Sequence, residues 1–166
     1  LTTATMVSRV WGAAKAGVQP IIGCQFDVDF DPVSPGEKHR GFAPLVLIAK
    51  SEAGYENLML LNSCLYMRSD GQLPHVTIDE VLEHAGDVIC LTGGPNGALG
   101  RLVQAGQLPK ADALLTRLMG AFGDRLYTEL NRHPREDGSN PEAQALTEPW
   151  FVETAYAKDI PLVATN

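Results

Sequence analysis

The segment from Ala16 to Phe26 constrains the fold of this chain more than any other part of the sequence. It reads as the end of a helix, a glycine that stops it, a proline that begins an apolar strand, and a second glycine where a side chain would be in the way. A second informative segment, Gly54-Tyr-Glu-Asn-Leu58, follows about thirty residues later within a predicted helix. This succession is typical of α/β proteins.

The rest of the chain continues the alternation of apolar strands and helices. Thr77 and Glu80 have the spacing of a helix capping box. The predicted strands span residues 18–30, 44–49, 87–92, 125–130 and 160–165, and the predicted helices span residues 3–16, 54–67, 78–84, 97–105, 109–122 and 141–158. Such alternation predicts a mainly parallel sheet or barrel.

Length, composition and net charge limit the kinds of protein that this chain can be. The 166 residues, 45% of them hydrophobic, suffice for one sizeable core. Thirteen basic residues against twenty acidic ones give a net charge of −7, which argues against a stand-alone nucleic-acid binder. The sequence has neither an apolar run near membrane-spanning length nor a visible signal peptide, so we expect a cytoplasmic protein.

The three cysteines, Cys24, Cys64 and Cys90, are far apart and have apolar neighbours. They show no spacing typical of metal ligands. We therefore expect buried free thiols in a reducing compartment.

Three aspartates, Asp27, Asp29 and Asp31, alternate along a predicted strand and would share one of its faces. Clustered carboxylates could hold the metals of phosphoryl transfer. The same alternation describes an ordinary edge strand that is polar outside and apolar inside, and this second interpretation is favoured.

The glycine-rich segment from Leu91 to Gly100 follows a strand and opens a helix. Backbone N–H groups can bind phosphate in that setting. The segment lacks the Lys-Ser/Thr of a P-loop and the spacing of a dinucleotide motif, so a tight strand-to-helix turn is the favoured interpretation.

The four histidines are scattered along the sequence. His39, His75 and His84 are expected at the surface. His133 differs, because it follows the predicted strand 125–130 at the sheet edge where α/β proteins place their chemistry. It is the candidate metal ligand or acid/base of the chain.

Five segments together resemble, in order and spacing, the PHP (polymerase and histidinol phosphatase) domain at the start of bacterial DNA polymerase III alpha subunits. The resemblance covers residues 13–166, whereas residues 1–12, the start of the first helix, fit the family's pattern poorly. The matching segments are Lys15–Phe26, Leu45–Leu58, Val88–Gly94, Arg125–His133 and Ile160–Asn166. The resemblance implies a distorted (βα)7 barrel, here incomplete, with mainly parallel strands.

The chain departs from this family at the expected metal ligands. Gln25 stands where metal-bearing members carry a glutamate, and Pro44 stands where they carry a histidine. The first strands, with a His-x-His pair, and the final Asp-x-His motif are missing from the 166 residues, so we expect a piece of a longer protein. Only His133 keeps the identity of a ligand, as a vestige of the site.

The resemblance therefore implies a degenerate, metal-free PHP segment that serves as a scaffold and interaction domain. Its implied partners are the remainder of the polymerase alpha subunit and a proofreading exonuclease subunit. We expect this piece alone to bind neither a membrane nor nucleic acid directly. The parent would be a Mg-dependent DNA-directed DNA polymerase, and this piece would be inactive alone. The alternative is a PHP-type phosphoesterase or 3′→5′ exonuclease that uses Zn or Mn.

Overall fold

A computed structural model describes residues 10, 12–30, 41–67, 73–132 and 141–165 of the chain. These residues form six strands and five α-helices of more than one turn. The strands are β1 Gly23–Asp29, β2 Ala43–Ala49, β3 Val76–Thr77, β4 Val88–Leu91, β5 Leu126–Asn131 and β6 Leu162–Thr165. The helices are α1 Glu52–Met67, α2 Ile78–Glu83, α3 Ala98–Gln104, α4 Leu108–Phe122 and α5 Glu142–Lys158.

The strands form one mainly parallel sheet that is not closed into a barrel. Its order is β3-β1-β2-β4-β5-β6, with only β2 antiparallel to its two neighbours. Within it, Gln25 lies opposite Val46, and Val46 lies opposite Leu91. This architecture confirms the predicted α/β class and the incomplete, mainly parallel PHP-type sheet.

One face of the sheet is sealed against helices and supplies the core. Phe26, Leu47 and Leu126 come from this face of the strands and are at most 1% exposed. They belong to the same apolar cluster as Leu99 and Phe122 of the covering helices. The inward residues alternate with less buried ones along β1 and β2, as the period of two in a strand requires.

The capping box predicted at Thr77 is present. The Thr77 N–H donates to the Glu80 carboxylate over 2.7 Å, and the Glu80 N–H donates to the Thr77 hydroxyl over 3.3 Å. These two bonds satisfy backbone donors that a helix start otherwise leaves free. They fix the point at which β3 ends and α2 begins.

Two predictions from the sequence were wrong in this part of the molecule. The prediction omitted β3, because two residues beside a helix cap carry no strand pattern, yet Val76 pairs with Val28. His75 was expected at the surface but is 3% exposed. Its ring stacks on Phe42 with centroids 4.1 Å apart, and its Nδ1 lies 2.9 Å from the Leu73 carbonyl oxygen.

Other predictions were only partly met. The strand expected at residues 18–30 is shorter in the structure, where β1 spans Gly23–Asp29. Just before it, the Ile22 carbonyl oxygen accepts the Ala49 N–H of β2 over 2.8 Å. All three cysteines are free thiols, but Cys90 alone is fully buried. The prediction at His39 and most of the helix predicted at 3–16 lie outside the described residues. None of the described helices is long and apolar enough to cross a membrane.

Candidate functional site

The carboxyl ends of β4, β5 and β6 meet at one edge of the sheet. Because β2 runs antiparallel to β4, its first residues lie at the same edge. Parallel α/β sheets bind ligands at this edge. The polar groups assembled there are Thr92 and Gly93 after β4, Glu129 and Asn131 on β5, and Thr165 on β6.

Glu129 is the centre of this arrangement. Its side chain is buried, with the residue 7% exposed. One carboxylate oxygen, Oε2, accepts the Gly93 N–H over 2.9 Å. The other, Oε1, accepts the Asn131 amide over 3.2 Å and the Thr165 hydroxyl. A buried carboxylate needs such donors, since losing its water shell without replacement is costly.

Further bonds connect the members of this cluster to one another. The Asn131 amide also donates to the Thr165 hydroxyl over 2.7 Å, and the Glu129 N–H donates to the Thr92 hydroxyl over 3.0 Å. Strand β6 is thereby joined by side chains to β5, and β5 is joined to the turn after β4. We call Thr92, Gly93, Glu129, Asn131 and Thr165 the Glu129 cluster.

The turn beside the cluster requires glycine at two consecutive positions. Gly93 and Gly94 have φ angles of +79° and +55°, which side chains other than glycine adopt with strain. A β-carbon on Gly93 would lie 2.5 Å from the Pro44 carbonyl oxygen, and one on Gly94 would lie 1.9 Å from the Asn131 side-chain oxygen. The glycines let the turn pass directly over β2 and β5.

The geometry of this segment fits the tight turn that the sequence favoured over a phosphate-binding loop. The Gly93 N–H is engaged by Glu129, and the Gly97 N–H donates to the Gly93 carbonyl oxygen over 2.9 Å. Two of the backbone donors that could bind an anion are thus already bonded inside the protein. The helix that follows, α3, has only seven residues.

The positions expected to hold a metal in this fold do not fit one. Gln25 is exposed on β1 and offers an amide, which lacks the charge that a hard divalent cation favours. Pro44 is half-buried at the start of β2, opposite Asp27, and its side chain has no donor atom. Over the described ranges, no group of three or more His, Cys, Asp or Glu side chains could hold a metal ion.

The remaining sequence candidates are dispersed. Asp27 is exposed on β1, and Asp29 is half-buried two residues later, opposite Thr77 of β3. Their alternation with the buried Val28 fits a strand with one polar and one apolar face. The expected edge strand is wrong, however, because β1 lies between β3 and β2 in the sheet. Asp31 and the candidate ligand His133 lie outside the described residues.

Cys90 lies on β4 and is fully buried. Burial raises the pKa of its thiol well above the ordinary value, and the negative charge of Glu129 raises it further. The thiolate is the reactive form of cysteine. Cys90 is therefore an inert core residue and offers neither a nucleophile nor a ligand.

Sequence reasoning missed the Glu129 cluster, because it singled out His133 and the glycine-rich segment from Leu91 to Gly100 but not Glu129. The usable signal was the alternation of Glu129 and Asn131, which places both side chains on one face of β5. The arrangement satisfies its own hydrogen-bonding groups. Its chemistry is that of a structural cross-link among three strands.

Comparison with known proteins gives a consistent assignment. A sequence model of the family described as PHP domain matches residues 5–133. The chain is 42% identical over 158 residues to DNA polymerase III subunit alpha of Caulobacter vibrioides. This match covers 93% of this chain and 13% of that protein. Against the proteins of the same name from Rickettsia bellii and Vibrio cholerae, the identities are 34% over 155 residues and 33% over 157. Each of these two matches covers 93% of this chain but only 12% of the relative.

Proposed function

The chain belongs to the PHP domain family, and we propose that it serves a bacterial DNA polymerase III alpha subunit as a metal-free scaffold and interaction domain. The polymerase that carries it would add deoxynucleotides to a primer end in the cytoplasm, with Mg²⁺ at active-site residues that lie elsewhere. This domain would brace that enzyme and offer a surface to a proofreading exonuclease subunit. It would take no direct part in catalysis or in binding DNA.

The observation that carries this proposal is the chemistry of the sheet edge. Two positions of the family's metal site hold Gln25 and Pro44, which are poor ligands. The buried carboxylate nearby, Glu129, has both oxygens engaged by donors of the protein itself. A metal ion at Glu129 would have to displace the Gly93 N–H, the Asn131 amide or the Thr165 hydroxyl.

The hydrogen bonds of the Glu129 cluster support the proposed scaffold role. A metal bound at this edge would cross-link neighbouring strands through their side chains. Here the carboxylate of Glu129 accepts bonds from the β4 turn and from β6, and thereby joins the same elements. These hydrogen bonds would hold the edge together without a cation, as the proposed scaffold requires.

Metal content and hydrolysis of the purified polymerase subunit test this proposal. We expect zinc and manganese below one atom per PHP domain, and we expect no phosphodiester hydrolysis that depends on His133. The matched control for His133→Ala is His84→Ala, which alters a half-buried histidine at the end of α2. Stoichiometric metal, with hydrolysis lost in His133→Ala and kept in His84→Ala, would contradict the proposed scaffold role. It would indicate a PHP-type phosphoesterase or exonuclease instead.

A further inference from the structure

Helix α1 is apolar on two opposite sides. Its inner side carries Gly54, Leu58 and Leu61, all buried against the sheet. Its other side carries four large apolar side chains in its last nine residues: Met59, Leu60, Tyr66 and Met67, which are 40%, 52%, 75% and 83% exposed. Large apolar side chains on a second, exposed side of a helix are typical of a surface that another part of a protein covers.

The four exposed side chains form one surface, which we call the outer face of α1. Their separations of one, six, seven and eight residues place them on one side of the helix, as two pairs about two turns apart along its axis. Ser63 lies between them, and its hydroxyl donates to the Met59 carbonyl oxygen of the same helix over 2.9 Å. The one polar side chain within the face is therefore already bonded to the helix.

Charge is distributed unevenly along this face. Glu52 and Glu56 lie on the same side at the amino-terminal end of α1, and both are exposed. The sequence of α1 contains no lysine or arginine. A surface complementary to it would be apolar over the carboxyl-terminal half and would place Lys or Arg side chains beside the two glutamates.

We propose that the outer face of α1 is covered by the polymerase portion of the same alpha-subunit polypeptide; this inference rests on the proposed function. The matched relatives extend far beyond the aligned segment, which covers 13% or less of their length. A tethered neighbour is present at high effective concentration and covers the face permanently. Permanent interfaces tolerate the apolar, weakly charged composition that this face has, whereas a free surface with it promotes aggregation.

Methionine oxidation in the intact subunit tests the cover directly. Met59 and Met67 report from the face itself, and the half-buried Met119, packed against the core, is the internal control. In the intact subunit treated with dilute peroxide, we expect Met59 and Met67 to be oxidised about as slowly as Met119. This rate should be on the order of tenfold slower than in the unfolded subunit. Oxidation at the unfolded rate would mean that the face is open and would overturn the proposal.

Two other occupants give distinct results in the same experiment. Protection that appears only after the exonuclease subunit is added would assign the face to that subunit, and protection lost on dilution would assign it to a second copy of the alpha subunit. Either result overturns the proposal. Neither bears on metal content, which tests the proposed function separately.

A pair of variants tests the contact independently of oxidation. Leu60→Glu places a charge on the face, and Leu146→Glu places the same charge on α5 at a leucine of similar exposure, 57%. In the intact subunit we expect Leu60→Glu to restore fast oxidation of Met59 and Met67, while Leu146→Glu leaves it slow. Equal oxidation in the two variants would contradict the assigned surface.

Discussion

Gly54 lies against the backbone of Asp87, so closely that a β-carbon on Gly54 would sit 2.0 Å from the Asp87 carbonyl oxygen. This oxygen also accepts the Lys50 N–H over 2.9 Å, and the Asp87 carboxylate accepts the Ser51 hydroxyl over 2.9 Å. The first turn of α1 is thereby seated directly on the loop before β4. Asp87 itself has a φ of +53°, a left-handed conformation that is uncommon for a residue other than glycine.

Gly54→Ala is therefore expected to lower the free energy of unfolding by roughly 2–3 kcal/mol, because the methyl group meets backbone atoms that cannot shift cheaply. The matched control is Gly120→Ala in α4, where an added β-carbon has no neighbour within 4 Å. That change is expected to raise stability by about 0.5–1 kcal/mol, since alanine is the better helix former. Urea unfolding of both variants checks the pair, and equal effects would contradict the close approach.

Glu129→Gln tests the hydrogen bonds of the Glu129 cluster at nearly constant side-chain volume. The new amide group would face the Gly93 N–H or the Asn131 amide, both of which are donors. We expect stability to fall by about 1–3 kcal/mol, the cost of leaving buried polar groups unsatisfied. Thermal or urea unfolding measures it.

The control for that variant is Glu153→Gln on the exposed side of α5, which is expected to change stability by no more than about 0.5 kcal/mol. A second readout is hydrogen exchange at the Gly93 N–H, which should become faster in Glu129→Gln only. If both variants unfold alike, the carboxylate of Glu129 does not cross-link β5 to β6 and to the turn after β4.

Local patterns were sufficient to predict most of the fold. Apolar runs bounded by glycine and proline located β2, β4, β5 and β6, and the Thr77–Glu80 spacing located the start of α2. These signals are local, since each depends on residues that are close together in the sequence. The resemblance of the ordered segments to a known family then indicated the incomplete barrel.

The candidate site could not be predicted in the same way, because it depends on which strands are neighbours. Glu129 and Thr165 are 36 residues apart in sequence and meet only because β6 lies beside β5. Burial of His75 has a similar cause, since its partner Phe42 is the residue before β2 and is distant in sequence. The sequence showed a histidine in a proline-containing loop, which is most often exposed.

Cys90 should make the stability of the domain depend on alkaline pH. Burial raises the pKa of its thiol in the folded protein, whereas an unfolded thiol titrates near its ordinary value of about 8.5. Below that value both states bind the proton equally, and the stabilisation is fully present. Above it the unfolded state loses the proton first, so stability should fall by up to about 1.4 kcal/mol per pH unit.

Urea unfolding at about pH 7 and about pH 10, roughly 1.5 units below and above the ordinary pKa of a thiol, measures this dependence of stability on pH. Lysines, tyrosines and the other cysteines titrate in the same range, so the informative quantity is the difference between the wild-type chain and Cys90→Ala. We expect Cys90→Ala to be less stable at pH 7 but to lose less stability as the pH rises. Parallel curves would contradict the burial of the thiol.

Arg125 is expected to stabilise the fold more than a surface arginine does, because it donates to backbone carbonyl groups of three elements. Its Nη1 donates to the Ala85 and Val88 carbonyl oxygens, the second over 2.7 Å, and its Nη2 donates to Ala121 over 3.2 Å. Arg117, in contrast, pairs with the exposed Asp79 carboxylate at the surface.

Arg125→Ala would leave the half-buried carbonyl groups without a charged donor, and we expect it to lower the free energy of unfolding by about 2–3 kcal/mol. Arg117→Ala removes the same side chain but breaks only an exposed ion pair, so its cost should stay below about 1 kcal/mol. Repeating both measurements in high salt separates the causes, because salt screens the exposed pair and leaves the bonds of Arg125 largely intact. A loss in Arg125→Ala that salt abolishes would show that its positive charge, and not its bonds to the loop before β4, supports the fold.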